Sequence, residues 1–141
     1  MRFLFAAFIA LVVCVPALAE DNGSTGPNDP IDQGLDECLS KPEGETTAGM
    51  IECFGTAYEL WDKALNAVYG QLVELLAPEQ KQALKTAQRQ WISFRDADQA
   101  FLASLQDATS GSLLRVTTNE AMVNLVKARV LQLRGYRDMD R

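Results

Sequence analysis

The chain contains no histidine. That absence excludes Ser-His-Asp and Cys-His catalysis, imidazole metal ligation and a histidine pH switch. Cysteine is scarce, with three in 141 residues at positions 14, 38 and 53. Five prolines and nine glycines are too few for a fibrous or low-complexity protein. Positive charge is nearly missing from one stretch: between Glu20 and Asp62 eleven acids stand against one base, Lys41. With a net charge of −6, the chain lacks the clustered Lys and Arg that nucleic acid requires. What is present, 48% hydrophobic and 23% charged residues, is the composition of one globular domain.

Only the N-terminus carries a long apolar run. Arg2 precedes an apolar stretch from Phe3 to Val15, and Ala17-Leu18-Ala19 is a small-x-small cleavage pattern. Residues 1–19 therefore read as a secretory signal peptide cleaved after Ala19, too short and wrongly flanked for a membrane span. A lipid-anchor signal at Cys14 is the rival, but Val13 fills a position where a small residue is normal. No later segment approaches a transmembrane length, so a periplasmic or secreted protein is expected. Export leaves Cys38 and Cys53, which most simply form a disulfide closing a 15-residue loop. A redox or metal pair is the alternative, opposed by the absence of C-x-x-C spacing and of other soft ligands.

Residues 20–35 are rich in acids, glycine and proline and read as a flexible acidic leader. Asp36 to Glu45 reads as a polar loop anchored at Cys38, and residues 36–141 as one helical domain. Met50, Phe54, Tyr58, Trp61, Leu65, Val68, Leu72 and Leu76 recur at spacings of three and four, which predicts one long helix capped at Thr46 or Thr47. Pro78 starts a second helix through Leu84, Ala87, Trp91, Phe94, Phe101 and Leu105. After a loop at Thr109–Ser112, a third helix fits Glu120 to Arg134, with Met122, Leu125, Val126, Val130 and Leu133 inward and Gly135 as its stop. Leu113 to Thr118 fits either the start of that helix or a cover over the hairpin. The expected fold is all-α: a long antiparallel hairpin, a third C-terminal helix and a disulfide-tethered N-terminal segment.

A tight turn near residue 77 sets residue i level with about 154 − i. Asn66 then faces Gln88, and Arg95 faces Glu59 with Asp62 within reach. Asp62, Asn66 and Tyr69 share one helix face, and Gln88, Trp91 and Arg95 share another. Such polar groups between long helices are expected to satisfy one another and to fix the register.

The ordered set Cys38, Thr47, Met50, Cys53, Trp61-Asp62, Leu65-Asn66, Tyr69, Leu72, Pro78-Glu79-Gln80, Leu84, Ala87-Gln88-Arg89, Trp91 and Phe94-Arg95-Asp96 resembles the lysozyme inhibitor LprI-like family of small exported bacterial helical proteins. The resemblance is close over about residues 38–98 and weaker to about 133. In that family a cysteine often follows the Arg-Asp pair by three residues and pairs with another in the third helix. Here Gln99 and Ala121 stand in those places, which implies a lost second bridge and a looser third helix.

The resemblance implies lysozyme as a protein partner, with no cofactor and no metal. Ser110, Ser112 and Arg115 around the loop, and the acidic Asp36–Glu45 stretch, are candidates for partner binding; solvated connectors have the same composition. A binding or scaffolding module of the cell envelope with another partner is the alternative, and a homo-oligomer is left open. An enzyme is disfavoured. Glu59, Asp62 and Asp96 at helical spacing beside Arg95 read as ion-pair partners, and Trp61 and Trp91 as core rather than a sugar platform.

Overall fold

A computed structural model describes residues 29–108 and 111–139. The described residues form four helices and a short 3₁₀ turn: α1 (Pro30–Leu39), the turn (Pro42–Glu45), α2 (Thr47–Leu75), α3 (Pro78–Ala108) and α4 (Ser112–Met139). The fold is all-helical, as expected. The signal segment and residues 20–28 lie outside the described residues, as do Thr109 and Ser110.

Two expectations change at the N-terminal side. α1 begins inside the segment read as leader and continues into the one read as loop. Its signals are local. Asp29 caps it by accepting the Ile31 N–H at 2.9 Å, and Pro30 sits at the first helical position. Ile31, Leu35 and Leu39, four apart, then lay one apolar edge on the core. The loop after α1 is tight. A Cβ on Gly44 would collide with the Cys38 carbonyl oxygen, and one on Gly49 with that of Glu43. These two glycines let the 3₁₀ turn close against the start of α2. The Cys38–Cys53 disulfide, with Cα atoms 5.7 Å apart, ties α1 to α2 across it.

Thr46 caps α2 through the Gly49 N–H at 3.0 Å, so the predicted start holds. Of the predicted stripe, Phe54, Trp61, Leu65, Val68 and Leu72 are buried, with Ala57 beside them, while Met50, Tyr58 and Leu76 are half-buried. Its main partner is α4, which contributes Val123, Val126, Val130 and Leu133. Each such side chain adds about 1.5–3 kcal/mol by leaving water. Lys127 lies over the Trp61 ring and Arg137 donates to Gln71 at 2.9 Å, so numbers rise together and α4 runs parallel to α2. α3 is the return stroke, antiparallel to both.

α4 is longer than its predicted core. It takes in Leu113–Thr118 and passes through Gly135 without a stop. Gly135 keeps an ordinary negative φ, and the Arg137–Gln71 contact holds the last turn on α2. α3 also differs from expectation. The backbones of α2 and α4 run close together, whereas α3 meets α2 mainly through long side chains. Leu84 and Trp91 do pack on the core, but Phe94 and Phe101, which mark the same predicted helix, are 56% and 57% exposed. The reason is rotational: Gln88, Arg95 and Gln99 occupy the inner face, and Phe94 projects about 100° round the helix from Arg95.

Candidate functional site

Asp62, Asn66, Tyr69, Gln88, Trp91 and Arg95 of the family-like pattern lie where α2 and α3 face each other, with Arg129 of α4 behind Gln88. Arg95 reaches Asp62 at 3.5 Å, pairs with its neighbour Asp96 at 2.8 Å and lies 5.5 Å from the Trp91 ring centre. Gln99 donates to the Tyr58 hydroxyl at 3.3 Å. These two cross-links put residue i level with about 157 − i, three further along than expected. Glu59 is therefore not the partner of Arg95. At the turn itself α2 closes at Leu75 and α3 opens at Pro78, with the Gln80 side chain accepting the Ala77 N–H at 2.9 Å, so the offset arises further along, where long side chains bridge the two helices.

Asn66 and Gln88 do not bond each other. Asn66 directs its amide nitrogen back to Asp62, to the carbonyl at 3.0 Å and the carboxylate at 3.2 Å. Gln88 is the one buried residue of α3 among those described, and its Oε1 accepts from Arg129 Nε at 3.0 Å. A buried guanidinium is a stronger donor than a neutral amide and takes the acceptor. Arg129 also donates to Gln132 at 2.6 Å and lies 5.8 Å from the Trp91 ring, while Gln132 donates on to Tyr136 at 2.8 Å. One of its nitrogens, Nη2, is buried without a partner. Burial pushes the guanidinium below its ordinary pKa, and the Tyr136 phenol pushes the other way. Among the described residues the ring of groups around Arg129 is thus amide, indole and phenol, with no carboxylate.

Asn66, Tyr69, Gln88 and Arg89, all from the pattern, line one open groove of about 220 Å³ between α2 and α3, with Lys85 and Ile92. A second groove of about 340 Å³ contains Tyr58, Glu59, Gln99, Asn119 and Met122. This is where the second bridge would be sought. Met122 shares that groove with Gln99, while Ala121 is exposed. Among the described residues no group of three or more acids and cysteines is placed to hold a metal ion.

The structure does not draw the other candidates into this site. Ser110 lies outside the described residues. Ser112 is the exposed first residue of α4 and Arg115 is exposed one turn later. Arg115 precedes Arg129 by fourteen residues, about 21 Å along the helix. Reading the sequence missed Lys85, Arg129, Gln132 and Tyr136. The available signal was Arg129, a charge inside the apolar run of Val126, Val130 and Leu133.

A disulfide-pinned helical hairpin with a long parallel third helix and a polar groove along its return stroke defines a class of small all-helical protein. The sequence matches the lysozyme inhibitor LprI family over residues 38–133, from the first bridging cysteine into the last turns of α4, and the chain belongs to that family. A solved structure of an uncharacterised protein from Burkholderia thailandensis is similar, with 27% identity and a TM-score of 0.74. The match covers 78% of this chain and 54% of that one, so this chain spans about half the length of that relative. No curated protein matches.

Proposed function

We propose that this protein is an exported, non-enzymatic inhibitor of lysozyme that binds the enzyme as a protein partner. Membership of the LprI family over residues 38–133 carries the reading. Export rests on the signal-like segment 1–19 with its Ala-x-Ala pattern, which gives a periplasmic or secreted protein cleaved after Ala19. Among the described residues no helix is long and apolar enough to cross a membrane.

Charge supports the choice of partner. Asp36, Glu37, Glu43, Glu45 and Glu52 are exposed around the disulfide, and none takes part in the ion pairs of the described residues. Lysozymes are generally basic, and an unneutralised acidic end steers a basic protein into encounter. The test is the rate at which lysozyme clears a cell-wall suspension at about 0.15 M salt, where loose charge attraction is screened. Saturable inhibition near stoichiometric protein is expected. Unchanged clearance across several lysozyme types would refute the reading.

A second reading, an envelope module with another partner, is favoured by one observation. Ile92, Phe94 and Phe101 leave apolar surface on α3 open to solvent. It predicts a partner captured from envelope extract by the wild-type protein and lost on Phe94→Ser, with lysozyme activity untouched.

A further inference from the structure

The groove between α2 and α3 carries chemistry that inhibition of lysozyme does not by itself require. Its charged lining residues are Lys85 and Arg89, four apart on one face of α3 and exposed. Neither takes part in an ion pair of the described residues, and among those residues no acidic side chain lines the groove. The nearest acid along α2, Asp62, is already engaged by Arg95 and Asn66.

The neutral groups are set to donate as well. Gln88 is 8% exposed, and Arg129, a donor only, takes its Oε1. That bond fixes the amide of this groove-lining residue and leaves Nε2 without a hydrogen-bond partner among the described residues. The Tyr69 hydroxyl has no hydrogen-bond partner among the described residues and lines the same groove. Arg129 stands behind Gln88 as a buried, unneutralised positive charge, which raises the local potential further. Two cations, a held amide and a phenol thus converge without an anion. The groove also has an apolar wall, Ile92, and room for a few heavy atoms.

We propose that this groove is a binding site for a carboxylate on a short aliphatic chain. Lys85 and Arg89 neutralise the charge, Gln88 Nε2 and Tyr69 donate to the oxygens, and Ile92 packs the methylenes. The carboxylate comes either from a free small acid or from a glutamate or aspartate side chain of a bound protein. Only the second source rests on the proposed function.

The probe is glutarate, added to the ¹⁵N-labelled mature protein and followed by NMR. Saturable shifts of the Gln88 side-chain amide in the millimolar range are expected. The Lys85→Ala, Arg89→Ala double variant should weaken them about tenfold or more, since it removes both charge-assisted contacts. Both positions are exposed on a helix, where alanine is the most favourable residue, so the fold is retained. Tyr69→Phe should weaken binding about threefold, and Lys63→Ala should change nothing. No shift at Gln88, shifts that survive the double variant, or a response to inorganic phosphate but not glutarate would each overturn the proposal.

The lysozyme assay separates the two sources. A tenfold loss of inhibition in the double variant assigns the carboxylate to the enzyme. Full inhibition with lost glutarate binding assigns it to a free acid. A wild-type protein that binds glutarate but never inhibits lysozyme refutes the proposed function and leaves the site standing.

Discussion

The two tryptophans divide the molecule. Trp61 on α2 and Trp91 on α3 each lie beneath two cations, at 5.5 and 5.8 Å in both cases. Around Trp61 the charges are closed. Lys127 pairs with Asp32 at 2.6 Å and Arg134 with Asp29 at 2.7 Å, so the acids at and inside the start of α1 clasp the bases of α4 over a fully buried ring. Around Trp91 they are not. Arg95 has Asp62 and Asp96, but among the described residues the hydrogen-bond partners of Arg129 are the amides of Gln88 and Gln132. One side is a sealed core of three helices. The other is a helix held off by long polar side chains, with unspent positive charge and open apolar surface. A sealed side suits stability and an open one suits recognition, which is why the candidate groove lies along α3.

The largest effects should fall on the sealed side. Trp61→Ala empties the centre of the core and should cost about 3–5 kcal/mol, read by urea unfolding. Phe94→Ser and Phe101→Ser on the open side should move stability by less than about 0.5 kcal/mol. Equal losses at both places would erase the distinction. Hydrogen exchange offers a second reading of it, with α3 amides opening at lower free energy than those of α2 and α4.

Next in size is the disulfide. Replacing Cys38 and Cys53 by serine frees a 15-residue loop and should cost about 3 kcal/mol. The loss should also loosen α1, because the bridge anchors its last turn. Exchange in α1 should therefore rise more than in α4.

The sealed side was the more legible in the sequence. Met50 to Leu76 repeats at helical spacing because a surface buried against one partner needs one apolar stripe, and Pro78 and Thr46 mark boundaries by local chemistry alone. α1 escaped notice because its apolar residues are few and sit among proline, glycine and acids; its order comes from the clasp and the bridge, which are tertiary. On the open side the pairing of Arg95 with Asp62 was legible, since it needs only helical spacing and an approximate register. The exchange of partners at Gln88 was not. It depends on Arg129, forty-one residues away and on a helix whose packing no local pattern specifies. The exposure of Phe94 and Phe101 was not legible either: periodicity assigns a face but not whether another element covers it.

Gln88 and Arg129 offer a finer test of the open side. Gln88→Ala leaves the Arg129 guanidinium with one fewer acceptor inside the protein and should cost about 1.5–3 kcal/mol. Arg129→Met removes the uncompensated charge while keeping a long apolar stem, and should be neutral or stabilising. That pair of outcomes, measured as shifts in the denaturation midpoint, would mean that the buried charge is not retained for stability. A large loss from Arg129→Met would instead make it a structural strut like those around Trp61.

The smallest expected effect tests how far the clasp is electrostatic. Burial pushes the Asp29 carboxyl up, but the Arg134 hydrogen bond, the Ile31 N–H and the charges of Arg134 and Lys127 outweigh it and hold the group below its ordinary value of 3.8. A carboxylate with a lowered folded-state pKa adds stability that is present above the unfolded value and lost as pH falls through the folded one. Asp29→Asn keeps a good helix cap and deletes only the charge. The variant should be less stable by about 0.5–1 kcal/mol at neutral pH, since Arg134 is partly exposed and solvent screens the pair. The difference should shrink in about 1 M salt and close below pH 3.8 as the wild-type carboxyl takes up its proton. A gap that persists unchanged into acid would mean that Asp29 holds α1 by its cap alone, and the closed charges around Trp61 would then owe their order to packing.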